Sequence, residues 1–147
     1  MADISAFPTR HTILVTDPEI APLRTFLAKE AITAGMVVEL DPGSGDEYVK
    51  CGDSDDAGPV VGVALFGAAA EAPVTVCMPG CICYVANESG SSAIGEGETL
   101  KLADVNVGGA VTGYTTGAAY IVGVALEDIA ANGWGRALIM PYTQVVS

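Results

Sequence analysis

Val61-Gly62-Val63-Ala64-Leu65 and Val122-Gly123-Val124-Ala125-Leu126 are one phrase written twice in a chain of 147 residues. A short apolar run bounded by turn residues reads as a buried strand. The glycine at its centre marks a bulge or the close approach of another backbone. The echo extends both ways along the chain. Ile32-x-x-Gly35 running to Leu40 matches Ile94-x-x-Gly97 running to Leu102, and Met78-Pro79 matches Met140-Pro141. The order is the same and the offset nearly constant, which points to an internal duplication framed by Gly35, Gly62, Gly97 and Gly123. Two copies are too few for a solenoid, which needs about three. They are expected to close on each other, as one barrel or as a pair of clipped sheets.

Working outward, Gly35 to Leu40 is a strand opened by a turn glycine. Asp41-Pro42-Gly43-Ser44-Gly45-Asp46 is a turn, because proline fixes φ and glycine supplies φ > 0. Glu47 to Cys51 alternates as a hairpin partner, and Val74 to Cys77 and Cys81 to Val85 are further strands around Met78-Pro79-Gly80. The second copy repeats the plan from Glu98 to Leu102, Ala110 to Gly113, Tyr120 to Leu126 and Arg136 to Met140. Glu127 to Gly133 reads as one helical turn closed by Gly133. Asp17-Pro18 opens at most one turn before Pro22. The expected fold is all-β with little helix. It is a compact β-barrel or β-tulip-like domain of two pseudo-repeats (32–85 and 94–147, linker 86–93). An arm (1–24) precedes the single β domain (25–147).

Bulk properties narrow the function. The net charge of −12 argues against a nucleic-acid partner and against adhesion to an anionic membrane. No run of about 18 apolar residues suggests a membrane-spanning helix. Met1-Ala2-Asp3-Ile4 has neither the basic region nor the apolar run of a secretory signal. The four cysteines, Cys51, Cys77, Cys81 and Cys83, are therefore expected as free thiols.

The candidate chemistry is sparse. Cys77, Cys81 and Cys83, with Cys51 as fourth ligand, form a conceivable zinc set, but the spacing is not that of paired knuckles. Buried cysteine as a small hydrophobe is the favoured reading. Neither acidic turn (Asp41, Asp46 and Glu47; Asp53, Asp55 and Asp56) matches a twelve-residue calcium loop. His11 is the sole histidine and has no positioned acidic partner for a catalytic set. Asn87-Glu88-Ser89 matches a glycosylation sequon by accident. Trp134, the sole tryptophan, lies between Gly133 and Gly135, either as an exposed contact anchor or as a cap on the barrel end. No catalytic residue, cofactor or metal is expected.

With the repeat laid out, the chain resembles the tailed-phage capsid decoration (cement) proteins. The resemblance rests on a leading arm, Gly35 to Leu40, Gly58 to Leu65, an Ala-rich loop and a Val-rich strand ending at Gly80. The same order returns from Gly97 to Pro141. It implies a structural virion protein, not an enzyme, made in the host cytoplasm and bound as a homotrimer to the outer capsid surface. The major capsid protein is its implied partner. The arm, through His11, Thr12, Ile13, Leu14 and Val15, would add a strand to capsid elements. A carbohydrate- or receptor-binding β module is the alternative.

Overall fold

The computed structural model describes residues 22–52, 59–88, 92–103 and 109–144, in which valine-rich runs alternate with glycine turns. Ten strands follow from that pattern: β1 (Leu23–Ala28), β2 (Val37–Leu40), β3 (Tyr48–Cys51), β4 (Val60–Ala64), β5 (Pro73–Cys77), β6 (Ile82–Ala86), β7 (Thr99–Leu102), β8 (Val111–Gly113), β9 (Ala119–Ala125) and β10 (Trp134–Gln144). Gly35 and Gly97 hold positive φ in the turns that lead into β2 and β7.

Each copy of the repeat builds its own sheet. The first is a closed barrel in the order β1-β3-β2-β4-β5. It closes through the antiparallel β1–β5 ladder, from Leu23↔Cys77 to Leu27↔Pro73, and contains one parallel pair, β1–β3. The second sheet runs β6-β10-β9-β7-β8. A parallel bridge, Asn87↔Val111, joins its two edges where Ala28↔Val49 joins β1 to β3 in the first. Of the two arrangements left open by the sequence, one shared barrel is replaced by a five-stranded unit per copy. The reason is that β1 and β6 each supply a closing strand.

The duplication survives at the level of single hydrogen bonds. Val38↔Gly62 and Leu100↔Gly123 are equivalent pairs, and a register shift follows each at the same place. Gly35 N–H donates to Ala64 O, as Gly97 N–H does to Ala125 O, both at 2.8 Å. Three details differ from the sequence reading. Residues 81–85, placed there in the first repeat, pair with β10 and open the second unit. Cys77 faces Val63 as Leu138 faces Val124, so Met78 corresponds to Ile139 and the Met-Pro echo is one residue out of register. Residues 127–133 form no helical turn. Ile129 instead bridges Ile94 and is fully buried, because the second unit needs a large side chain where the first has Ala68 bridging Ile32.

Strand alternation explains why the runs are apolar on both faces. Val38, Ala64 and Val76 fill the first barrel with Phe26, Ile32, Val49 and Val74. Their neighbours Val37, Val63 and Cys77 point the other way, into a core shared with Leu102, Val122, Ile129 and Ile139 of the second unit. The main chain seals this joint: Val37 N–H donates to Gly109 O at 3.0 Å and Gly109 N–H to Gly52 O at 2.9 Å. A Cβ on Gly109 would stand 2.6 Å from that of Met36, and its φ of +81° already favours glycine.

Candidate functional site

The residues that the sequence singles out do not converge on one site. His11, Thr12, Ile13, Leu14 and Val15 lie outside the described residues, as do Asp53, Asp55 and Asp56. Trp134 opens β10 opposite Ala86, half-buried against a small cluster of Ala86, Ala103 and Ala110. Asn87 is fully buried and its Nδ2 donates to the carbonyls of Ser92, Ile129 and Ala130 at 2.9, 3.3 and 3.3 Å. The sequon is therefore occupied by the fold. In the turn after β2, Asp41 accepts a hydrogen bond from Ser44 Oγ, and Glu47 pairs with Arg24 on β1. Glu71 accepts from the Tyr48 hydroxyl at 2.7 Å, which raises the tyrosine pKa. These carboxylates serve local pairs.

The cysteines do converge. Cys77 ends β5, Cys81 precedes β6 and Cys83 lies on β6. All three are fully buried, and their sulfurs lie within 4.8 Å of one another. Cys51 stands apart, half-buried, with its sulfur 3.7 Å from Met36 Sδ, so the four-thiolate set is not assembled. Hydrogen bonds from Cys83 and Cys81 lower the Cys77 pKa against the opposing effect of burial. Cys81 is pushed up to about 11, first by burial and then by the neighbouring Cys77. Cys83 is raised by its hydrogen bond to Cys77 and by burial. The result is a buried trithiol whose members hydrogen-bond to one another.

A surface feature escaped the sequence. Met78 N–H donates to Pro22 O at 2.7 Å, and Gly80 N–H donates to Ile139 O at 2.8 Å. These bonds gather Pro22 and Leu23, Pro79 and Gly80, and the Met140 end of β10 at the junction between the units. Leu23 is 43% exposed, and Met140 and Tyr142 are each 52% exposed. The signal was present in the excess length of β10. Its Trp134–Leu138 part is paired by β6, Ile139 still bonds to Gly80 and Cys81, and beyond Ile139 the strand ladder among the described residues is with β9.

Comparison with known proteins gives two results. A family model described as Phage cement protein matches residues 22–140, which takes in both units. Among solved structures, the head fiber gp8.5 N base of bacteriophage phi29 superposes with a TM-score of 0.55. The match covers 86% of this chain and 100% of that one at 16% identity, which makes it a likeness of fold. No curated protein matches the sequence.

Proposed function

The chain belongs to the phage cement protein family, and from that premise we propose that it binds the outer surface of a tailed-phage icosahedral capsid as a homotrimer and stabilises the shell. The observation that carries the reading is the family match over residues 22–140, which spans both five-stranded units. The physics agrees with it. A decoration protein needs a rigid body and buried contact area, and the two units share one core. Three copies turn weak contacts into a durable attachment through effective concentration. A net charge of −12 suits a surface turned away from packaged DNA.

In this proposal His11 to Val15 add a strand to the major capsid protein, and the exposed rim of Leu23, Met140 and Tyr142 faces the shell beside the point where that segment joins the fold. No cofactor or catalytic residue takes part. The rival carbohydrate-binding reading would use exposed aromatic side chains; Trp134 leans on alanines, which leaves Phe66 and Tyr142 as the exposed aromatics among the described residues.

The test combines light scattering with capsid binding, on the full chain and on a chain lacking residues 1–16. Trimers that bind emptied, expanded capsids, with binding lost on truncation, are expected. A monomer that ignores capsids would overturn the proposal and direct attention to a glycan screen.

A further inference from the structure

We propose that Cys77, Cys81 and Cys83 form a buried three-sulfur site for a soft d10 metal cation, with monovalent copper as the best-suited ion. The site lies where the chain passes from the first barrel to the second sheet. Cys77 is the last residue of β5, and the exposed Pro79-Gly80 turn carries the chain to Cys81 and into β6. The inference is independent of the capsid reading.

Two observations support it. The first is distance: all three sulfurs lie within 4.8 Å of one another. A planar three-coordinate ion with metal–sulfur bonds of about 2.3 Å holds its sulfurs about 4 Å apart. The set needs only a small contraction to close on an ion. The second is the repeat. Cys77 corresponds to the aliphatic Leu138, and Cys83 corresponds to the exposed Arg24, each opposite the equivalent partner in its ladder. The duplicated frame therefore does not itself place sulfur at these positions, yet the two strands and the intervening turn bring three sulfurs to one point.

The ligand set selects the ion. Thiolates favour soft cations. Structural zinc wants four ligands in a tetrahedron. Among the described residues no fourth cysteine, histidine or carboxylate joins the group, since Cys51 sits beside Met36. Binding involves no electron transfer. Three metal–sulfur bonds form as copper leaves its carrier ligands, and the thiol protons of Cys77, Cys81 and Cys83 pass to solvent. Affinity therefore rises with pH. An ion so bound ties the end of β5 to the start of β6, and so the first unit to the second.

The experiment offers reduced, metal-free full chain monovalent copper from its bicinchoninate complex, with divalent zinc in parallel. The expected result is one copper withdrawn per chain, a new ultraviolet sulfur-to-copper charge-transfer band and a raised melting temperature, with zinc held far more weakly. Cys77→Ser, Cys81→Ser and Cys83→Ser should each lose the band, while Cys51→Ser should keep it. X-ray absorption on the wild-type complex provides a measure that no variant's folding can spoil, and three copper–sulfur bonds are expected. Failure of the folded chain to withdraw copper, loss of the band in Cys51→Ser, or a coordination shell with fewer than three sulfurs would overturn the proposal.

Discussion

Adding one methyl group at Gly62 tests the whole account of the repeat. A Cβ there would stand 3.0 Å from the carbonyl carbon of Cys77, closer still to its oxygen, and 2.9 Å from Val76 Cγ1. Ordinary contact begins at 3.4 Å, and backbone is the obstacle, so β4 and β5 must part. Parting strains the Val63↔Cys77 and Ala64↔Val76 pairs. Overpacking of this kind destabilises by about 1–3 kcal/mol. A weakened ladder bond adds roughly 0.5–1.5 kcal/mol. The stiffer unfolded chain returns about 0.4–1 kcal/mol. Gly62→Ala should therefore lose about 0.5–4 kcal/mol, or roughly 1–16 °C in melting temperature for a chain of this size. Gly123→Ala should match it, because a Cβ there meets the carbonyl carbon of Leu138 at 3.0 Å and Met140 N at 3.1 Å. Gly43→Ala is the control: its Cβ would lie 3.6 Å from Asp41 Oδ1, an ordinary contact. Thermal and urea unfolding of the three variants decides the matter. If Gly62→Ala and Gly123→Ala both unfold like Gly43→Ala, the close strand approach assigned to the repeat is wrong.

Four other outcomes follow from the structure. Asn87→Ala should cost about 1–3 kcal/mol in chemical denaturation, since the fully buried amide donates to three carbonyls at the parallel bridge. Glu127 is held below the usual carboxylate range, chiefly by its hydrogen bond to Arg136. Its folded pKa is the lower one, so its contribution is present above the unfolded value and lost as pH falls through the folded value. Glu127→Gln should flatten that part of the acid limb of stability against pH. The Cys81 thiol, pushed up to about 11, contributes with the opposite sign: its share is complete below the ordinary thiol pKa and disappears as pH rises toward 11. Thiolate absorbance of the folded chain should accordingly show a step near that pH that denaturant moves lower. Gly109→Ala combines a positive φ with the Met36 clash at the joint, and differential scanning calorimetry should show a lower melting temperature than for Gly43→Ala.

The repeat was legible because its signals are local. Gly35 and Gly97 announce turns, and the Val-Gly-Val-Ala strands are too apolar to be half-exposed. What escaped the sequence depends on partners remote in the chain. The strand 81–85 looks like a continuation of the first copy, and only its ladder with β10 assigns it to the second. The Met-Pro echo is one of sequence alone, because strand register is set by the ladder and its bulge lies between Ile139 and Tyr142. Residues 127–133 have the composition of a helical turn, but barrel filling by Ile129 overrides that local preference. As for the candidate sites, alternation from Cys81 to Cys83 places two sulfurs on one face, but the approach of Cys77 depends on how the two units meet.

The places where the two copies diverge show how the second was fitted to the first. At equivalent positions of β1 and β6, Arg24 is exposed and pairs with Glu47, while Cys83 is fully buried. Leu23 is open to solvent, whereas its counterpart Ile82 is half-covered. At the parallel bridge, Ala28 is replaced by Asn87, whose amide gathers the carbonyls of the returning loops. The first two changes move β6 toward the interior and leave this part of β1 at the surface. A tandem of identical barrels would leave either both or neither of these strands exposed. Here the second unit has surrendered its first strand to the joint, and the first unit keeps its own at the surface, with Pro22 bonded to Met78 and Gly80 bonded to Ile139 beside it. The asymmetry therefore gives an otherwise repetitive body one distinctive end, and that end is where the proposed capsid-binding segment joins it.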